Sequence, residues 1–386
     1  MKIFYYCQHV WGVGHFFRSL EICRALAEHE IILVTGGSRV NSALPNHVRE
    51  VRLPAIMTDR NYTRLFTPAK GKTYNQVSEE RQQLLTAYFK KETPDLFIVE
   101  LYPFGRKAFR FELDPILKGI RQGSLPPCRV VCSLRDILVE KKDPKAYESR
   151  VINTLNQYFD ALLIHADPGL VKLDVTFSRT ADIAVPVVYT GFVTSKPAPG
   201  AGQKLRRRLE IKADEVLVVA SAGGGKAGAV LLDAVIKSFQ LLPAVSAHHL
   251  HVFTGPYLNE ADFEHLQSLA HNRIKVFRFT SDFLAYLATA NLSVSMAGYN
   301  TSMNLLATQT PALVLPFSQD REQGLRARRL ARLGALQVLE NDDLDPSRLC
   351  AIMETALIQG PPALIPIDLN GAQNTAEWIE NWIFPD

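Results

Sequence analysis

Residues 216–228 read VLVVASAGGGKAG, five apolar residues followed closely by a glycine-rich turn. Beyond the turn, Leu231, Val235, Phe239 and Leu242 recur three or four residues apart, which is typical of a helix. A strand, a glycine turn and a helix in this order place backbone amides at the start of the helix, where the helix dipole favours an anion.

The first half of the chain contains a second unit of this kind. The apolar residues 3–7 are followed by Gly12, Gly14 and His15, and a helical period then begins at Phe16. Two such units predict two similar lobes that face each other across a cleft. A polyphosphate or a nucleotide-sugar would suit such a cleft.

Short apolar runs alternate with amphipathic stretches along the whole chain. Most of the runs are continuous, as in parallel strands that are covered on both faces. The predicted strands are residues 3–7, 30–35, 96–100, 129–134, 161–165 and 187–190, and then 216–221, 248–253, 274–279, 292–295 and 312–316. The alternation predicts an α/β protein with two doubly wound, Rossmann-like domains.

Residues 195–202 are rich in Pro and Gly and interrupt the periodicity, which indicates a linker. We therefore predict an N-terminal domain over residues 1–194 and a C-terminal domain over 203–370. Residues 371–386 carry two tryptophans at helical spacing, so we expect them to form a helix that packs back on the first domain. Residues 58–78 are polar and without a period, and they predict a long loop over the cleft.

The composition is that of an ordinary globular protein, with 386 residues, 47% of them hydrophobic. A net charge of +4 is too small to indicate a nucleic-acid partner, although it permits contact with an anionic membrane surface. The five cysteines are scattered, without a Cys-x-x-Cys pair, and indicate neither disulfides nor a zinc site. Without a signal peptide or a long apolar run, we expect a cytoplasmic protein, with peripheral contact on the inner face of the membrane as an option.

Gly223, Gly225 and Gly228 formally match the dinucleotide-binding fingerprint, which raises a nicotinamide-dependent oxidoreductase as a rival function. That fingerprint also requires a carboxylate at the end of the next strand, to hold a ribose. Here the next strand ends in Thr254-Gly255-Pro256, so the match is weak. Two alternatives remain for these glycines. They contact a phosphate or a sugar-phosphate, or they form a tight turn that needs glycine for close packing.

The run from Ser295 to Gln323 predicts a strand, a glycine turn, a helix, a strand, a loop and a helix. Gly298 would let the backbone approach a ligand, and Asn300 or Thr301 could cap the helix. The amides of residues 299–301 would then point at an anion. The polar residues that follow the second strand lie where open α/β sheets bind ligands.

These residues resemble the nucleotide-sugar glycosyltransferases of the GT-B fold. The similar groups are the enzymes that add N-acetylglucosamine to lipid-linked muropeptide and a related group of predicted glycosyltransferases. The resemblance covers nearly the whole chain, and it is carried by Gly12-x-Gly14-His15-x-x-Arg18-Ser19, by residues 103–106 and 133–137, and by the run 297–323.

The resemblance implies that the C-terminal domain binds the donor, as a UDP-sugar substrate, and that no cofactor is needed. It also implies that the N-terminal domain binds the acceptor, either a small molecule or a lipid-linked one. On the donor side it assigns Phe279 and Thr280 to the base, Gly298, Tyr299, Asn300 and Thr301 to the diphosphate, and Glu322 and Gln323 to the sugar hydroxyls. The glycine turn itself adds Gly223 and Gly224 as candidate donor-binding residues. Asn304 stands where relatives usually place a ribose-binding Glu, and an amide binds a hydroxyl less strongly than a carboxylate does. Gly14, Arg18, Arg106 and Arg135 are assigned to the acceptor.

His15 is the leading candidate for the base that takes a proton from the acceptor hydroxyl, because an imidazole titrates near neutrality. The alternatives are that His15 contacts phosphate or the acceptor, or that it has a purely structural role as a helix cap. Glu100 and Asp136 end first-domain strands and could act instead or bind the acceptor. They could also simply pair with Arg106 and Arg135.

No metal site is expected. The Asp-x-Asp motif at Asp343 and Asp345 is followed by Pro346, so we interpret Asp345 as a helix cap. Residues 248–251 contain three histidines without a carboxylate or cysteine nearby, which favours a strand-edge cluster. The leaving diphosphate would then be stabilised by helix amides, with Lys226 or Arg321 as further options, and the other arginine clusters, at residues 206–208 and 326–332, would be solvated helix faces.

The sequence therefore predicts a metal-independent, inverting glycosyltransferase. A sugar-nucleotide 2-epimerase of the same two-lobed fold is the principal alternative. A nicotinamide oxidoreductase and an inactive sugar-nucleotide-binding protein are the weaker ones.

Overall fold

The structure is a computed structural model that describes residues 1–10, 13–37, 39–40, 42–58, 64–139, 141–225, 227–243 and 248–384. Gly12, Lys226 and residues 59–63 of the predicted long loop lie outside the described residues. The chain divides into two compact units, the first made of Met1–Val193 with Ile367–Asp386 and the second of Thr194–Pro366. The second unit thus includes the predicted linker and ends four residues before the predicted boundary.

The first unit is built on a seven-stranded parallel sheet with the order β3-β2-β1-β6-β7-β8-β9. Its interior strands are buried apolar runs, as continuous apolar sequences predict. The strands of this unit, with the short antiparallel pair β4 and β5, are β1 Lys2–Tyr6, β2 Glu30–Thr35, β3 Val48–Arg52, β4 Met57–Thr58, β5 Leu65–Phe66, β6 Leu96–Glu100, β7 Arg129–Arg135, β8 Ala161–His165 and β9 Val187–Tyr189.

The helices of this unit that lie between its strands are α1 Gly14–Ala25, α2 Tyr74–Glu92, α3 Arg110–Gln122 and α4 Pro144–Tyr158. Helix α2 begins with a capping box, in which the side chains of Thr73 and Gln76 each accept a backbone N–H of the other. The prediction of a loop over residues 58–78 is therefore wrong at both ends, because Thr58 lies in β4 and residues 74–78 form the start of α2.

The second unit contains a six-stranded parallel sheet with the order β12-β11-β10-β13-β14-β15. Its strands are β10 Val216–Ser221, β11 His248–Phe253, β12 Ile274–Phe277, β13 Leu292–Met296, β14 Ala312–Leu315 and β15 Gln337–Val338. Its helices are α5 Ala201–Arg208, α6 Ala229–Leu241, α7 Glu260–Ser268, α8 Phe283–Leu287, α9 Tyr299–Thr308, α10 Arg321–Arg332 and α11 Pro346–Gln359.

The last helix, α12 Gly371–Ile383, belongs to the first unit and packs on α1. Its buried face joins the apolar core beneath α1 through Ala372, Ala376 and Ile379. Trp378 and Trp382 stack with ring centroids 5.0 Å apart. Both rings pack at the margin of that core, so the tryptophans help to fix the helix on this unit.

Each sheet changes direction in its strand order at one place, between β1 and β6 in the first unit and between β10 and β13 in the second. Both units are thus doubly wound, as predicted. Doubly wound sheets bind ligands at the carboxyl ends of the strands that flank such a switch point.

Candidate active site

His15 lies at the switch point of the first unit. It is the second residue of α1, and its Nδ1 lies 2.7 Å from Oε1 of Glu100, the last residue of β6. The N-cap position of α1 is occupied by Val13. The alternative in which His15 only caps its helix is therefore wrong.

Two arginines surround the Glu100 carboxylate. Arg18 Nη2 lies 2.5 Å from its Oε1, and Arg106 Nη2 lies 3.7 Å from its Oε2. Burial by itself would raise the pKa of Glu100, but His15, Arg106 and Arg18 together hold this pKa well below its usual range. Arg18 Nη2 also lies 3.1 Å from His15 Nδ1, but it donates to Glu100 at the shorter distance of 2.5 Å. Because an ionised carboxylate can only accept hydrogen bonds, we assign the His15 N–H to Nδ1, 2.7 Å from Glu100, and the lone pair to Nε2.

Burial lowers the pKa of His15 to about 3, in spite of the opposing effect of Glu100. The imidazole is therefore neutral at physiological pH, with its lone pair on Nε2, but it is a weaker base than an imidazole that titrates near neutrality, so the reason for which the sequence favoured His15 is corrected. Its side chain is 14% exposed. A carboxylate bonded to Nδ1 fixes the tautomer and stabilises the imidazolium that proton uptake would form.

The other predicted residues of the first unit lie next to His15 in the chain or at the end of the strand beside that of Glu100. Gly14 is the first residue of α1. Arg135 is the last residue of β7, the strand beside β6, and it is half-buried, whereas Asp136 follows it and is buried.

A buried hydrogen-bond network that the sequence did not predict joins residues of β1, β7 and β8 with the residue that follows β9. Ser133 Oγ lies 3.1 Å from Tyr5 Oη and 2.7 Å from His165 Nε2, and His165 Nδ1 lies 2.9 Å from Thr190 Oγ1. Burial lowers the pKa of His165 to about 3. The sequence signals for this network are single polar residues within or directly after apolar strands.

In the second unit, two glycine turns meet at Thr301. A β-carbon at Gly223, after β10, would lie 3.8 Å from Thr301 Oγ1, and one at Gly298, after β13, would lie 4.0 Å from it. The structure thus brings three predicted donor residues together at the switch point. Gly298 is itself the N-cap of α9, so the prediction that Asn300 or Thr301 caps this helix is wrong.

Part of the glycine-rich turn serves packing. Gly225 has a φ of +90°, and a β-carbon there would lie 2.4 Å from the carbonyl oxygen of Thr254. The Tyr257 N–H donates to the carbonyl oxygen of Gly224 at 3.0 Å, which joins the turn after β11 to the turn after β10. Close packing therefore explains Gly225.

Phe279 and Thr280 follow β12. Phe279 is 61% exposed, whereas the Thr280 hydroxyl accepts the N–H of Asp282 at 3.1 Å and closes a turn before α8. On both sides of this turn in the chain are members of an aromatic cluster, in which buried Phe253 contacts the rings of Phe277, Phe283 and Tyr286. The cluster supports the turn that presents the Phe279 ring.

The remaining donor-side predictions lie on α9 and α10. Asn304 Oδ1 accepts the Thr194 hydroxyl at 3.2 Å. Gln323 accepts the Phe317 N–H through Oε1 at 3.2 Å and donates from Nε2 to the Asp320 carboxylate at 3.0 Å, so its amide closes the loop after β14. Tyr299 and Asn300 form the first turn of α9, and Glu322 is buried in the first turn of α10.

The prediction that the arginine clusters are solvated is wrong for two members. Arg326 on α10 is buried, and its guanidinium carbon lies 5.2 Å from the centroid of the Tyr299 ring. Arg206 donates to the carbonyl oxygens of Lys212 and Thr289. In both cases tertiary contacts cover a side chain whose sequence context is that of a surface helix.

The motifs that resembled metal ligands have structural partners. Asp345 caps α11 by accepting the N–H groups of Ser347 and Arg348. His249 pairs with Glu215, and His251 packs against aromatic rings. Among the described residues, no three His, Cys, Asp or Glu side chains are grouped in a way that could hold a metal ion.

Comparison with known proteins finds a family model that matches part of this chain. Residues 218–369 match the model of the glycosyltransferase family 28 C-terminal domain. The match therefore includes the two glycine turns that meet at Thr301. The predicted resemblance to these glycosyltransferases is confirmed.

Two relatives align with about the same share of the chain. The UDP-N-acetylglucosamine–N-acetylmuramyl-(pentapeptide) pyrophosphoryl-undecaprenol N-acetylglucosamine transferase of Prochlorococcus marinus is 27% identical over 237 residues, which is 60% of this chain and 62% of the relative. An uncharacterized glycosyltransferase of Methanopyrus kandleri is 22% identical over 239 residues, which is 60% of this chain and 65% of the relative. The chain thus spans somewhat less than two thirds of each.

The solved structure of MurG from Acinetobacter baumannii has the same fold. It superposes with a TM-score of 0.58 at 14% sequence identity and covers 98% of this chain and 99% of that one. The predicted GT-B fold class is confirmed. Separately, no helix in the described part of the chain has both the length and the apolar character that spanning a membrane requires.

Proposed function

We propose that the protein is a metal-independent, inverting glycosyltransferase that moves a sugar from a nucleoside-diphosphate sugar to an acceptor hydroxyl. The observation that carries this proposal is the meeting of Gly223, Gly298 and Thr301 at the switch point of a unit that matches a glycosyltransferase domain. The name of one relative includes a UDP-sugar, which supports UDP as the nucleotide.

The donor diphosphate would lie at the N-terminus of α9, where helix amides and the Thr301 hydroxyl can donate to phosphate oxygens. These groups would stabilise the charge that develops on the leaving diphosphate. The exposed ring of Phe279 is available to the base. Asn304 would lie near the ribose, and Glu322 near the sugar.

The acceptor hydroxyl would donate its proton to His15 Nε2 as its oxygen attacks the anomeric carbon. The new carbon–oxygen bond forms on the face opposite the leaving group, the bond from the anomeric carbon to the phosphate oxygen breaks, and the electron pair leaves on the diphosphate. Glu100 stabilises the resulting imidazolium, while Arg18 and Arg106 keep Glu100 ionised. Arg135 and Gly14 would contact the acceptor, small or lipid-linked.

The first experiment is a thermal-shift comparison of UDP, GDP, ADP, dTDP and pyrophosphate with the intact protein in excess EDTA. UDP should stabilise the protein most, and a ligand at a hundredfold excess over its Kd adds about 2.7 kcal/mol to the free energy of unfolding. Thr301→Val should reduce the shift. The proposal fails if no nucleoside diphosphate stabilises the protein, or if UDP does so only when a divalent cation is present.

A second experiment separates the alternatives. The protein is incubated with UDP-N-acetylglucosamine alone, and the nucleotide-sugars are then resolved by chromatography. A 2-epimerase would convert this donor into a second nucleotide-sugar without an acceptor, whereas a glycosyltransferase without an acceptor forms no second nucleotide-sugar. Titration with NADH, followed by its fluorescence, tests the oxidoreductase.

A further inference from the structure

The strand order of the second unit sets a path for the donor. Strands β12, β11, β10 and β13 lie side by side, and neighbouring strands are spaced by about 4.8 Å. The ends of β12 and β13 are therefore roughly 14 Å apart, three strand spacings. That span is comparable to the length of an extended nucleoside diphosphate.

A donor with its base at Phe279, after β12, and its diphosphate at Gly298, after β13, has to cross the ends of β11 and β10. The turns at those two strand ends are the ones joined by the Tyr257 N–H and the Gly224 carbonyl. Tyr257 itself is 42% exposed, and its Cδ2 would lie 3.8 Å from a β-carbon at Gly224. Its ring thus lies beside the glycine turn, on the path between the two predicted ends of the ligand.

The backbone that carries this ring is held on both sides. On one side the Tyr257 N–H is bonded to Gly224, and on the other the carbonyl oxygen of Leu258 accepts Arg278 Nη1 at 3.1 Å. Leu258 is also buried. An exposed aromatic ring on a fixed turn can contact a ligand without first ordering a loop, which reduces the entropy lost on binding.

We propose that Tyr257 contacts the nucleoside of the donor by stacking, an inference that rests on the proposed function of this unit. Every base offers an aromatic face, so stacking adds affinity without selecting the base. We accordingly expect Tyr257 to raise the affinity for the nucleoside. The diphosphate is assigned to the Gly298 turn.

The test is calorimetric titration of the intact protein with UDP, uridine and pyrophosphate. Tyr257→Ala should weaken UDP and uridine by about tenfold, in the range that base stacking provides, and leave pyrophosphate unchanged. Tyr257→Phe keeps the ring and should bind all three as the unchanged protein does. Leu241→Ala is the control, because Leu241 is an exposed apolar residue at the end of α6, a helix that runs from the carboxyl end of β10 back toward the amino end of β11.

The outcomes also separate this inference from the proposed function. If the unchanged protein binds UDP and Tyr257→Ala binds it equally well, the assignment of Tyr257 is wrong and the donor site stands. If the unchanged protein binds none of the three probes, the donor site itself is wrong. A similar loss for pyrophosphate and UDP in Tyr257→Ala would indicate a collapsed glycine turn and overturn the stacking role.

Discussion

Gly255 lies against Gly223 so closely that a β-carbon on Gly255 would be 2.3 Å from the Gly223 carbonyl oxygen. The turn after β11 therefore supports the turn after β10, which forms one side of the candidate donor site. The neighbouring atom is backbone, so it cannot move aside as the end of a flexible side chain could. Glycine at position 255 is a condition for the shape of the site.

Gly255→Ala should destabilise the protein and weaken UDP binding. Gly334→Ala is a matched control, because Gly334 has a φ of +75° against +81° for Gly255, but a β-carbon there would meet no atom within 4 Å. The control should lose about 1 kcal/mol from backbone strain alone, and Gly255→Ala a further 1–3 kcal/mol from the clash. Urea unfolding measures both, and equal losses would show that the two turns do not depend on each other.

His15→Ala should lower turnover by roughly 10²–10⁴-fold, the usual effect of removing a positioned base. The Kd for UDP should stay constant, since the proposed nucleotide site lies in the second unit. His249→Ala, at a histidine that pairs with Glu215, is the control. Normal turnover would exclude His15 as the base and direct the search to Glu100 and Asp136, whereas parallel losses of turnover and affinity would indicate a phosphate contact.

The pH profile offers a second check on His15. Its pKa is lowered to about 3, so the neutral base form persists from neutral pH down through the range where a free histidine protonates. We expect kcat/KM to show no inflection near pH 6.5. A clear loss of activity with an apparent pKa near 6.5 would contradict the buried, neutral state of this imidazole.

Stability should fall steeply as the pH drops below about 6.5, the pKa of an unfolded histidine. Burial lowers the pKa of His15 and His165 to about 3 and that of His251 to about 4. Between these values the unfolded chain binds protons that the folded chain does not, so stability decreases with falling pH. Three such protons give a slope near pH 5 of about 4 kcal/mol per pH unit.

Replacement of one of these histidines tests that slope. His251 packs against the rings of Phe277 and Tyr286, so His251→Phe should preserve the packing and reduce the slope by about 1.4 kcal/mol per pH unit. His265→Phe, at an exposed histidine, is the control variant for His251→Phe. Unfolding curves at pH 4.5 to 7 provide the measurement, and an unchanged slope in His251→Phe would disprove the assignment.

The buried pair of Arg81 and Glu112 should be intolerant of single changes. Arg81 Nε lies 2.8 Å from Glu112 Oε2, and both side chains are fully buried. Glu112→Gln leaves the guanidinium without its counter-charge and should cost about 3–5 kcal/mol. Glu80→Gln, which removes the partner of exposed Lys72, should cost no more than about 1 kcal/mol in the same denaturation assay.

Strands with continuous apolar sequence could be predicted, and those without it could not. β6 and β8 are buried along their whole length, and their sequences are apolar up to the last residue, which is Glu100 in β6 and His165 in β8. β3 lies at the edge of its sheet and has charged residues at three of its five positions, and β15 has only two residues. Such edge strands form because a neighbouring strand supplies their partner, which is information outside their own sequence.

The residues of the candidate site also fall into two groups, those that the sequence identified and those that it did not. The sequence identified Gly223, Gly298 and His15, because a glycine turn between a strand and a helix is a local pattern. It did not identify Tyr257, nor the burial of Arg326. The environments of these two side chains depend on elements that are distant in sequence, and no local period reports them.

The sequence by itself determined the two doubly wound units, since hydrophobic periods and glycine turns are properties of consecutive residues. The tertiary structure decided what those residues do to one another. The neutral state of His15 follows from burial, which outweighs the opposing effect of Glu100, and the need for glycine at position 255 follows from the backbone of Gly223. The charge state of His15 and the steric restriction at Gly255 arise only when strands that are far apart in the chain become neighbours in the sheet.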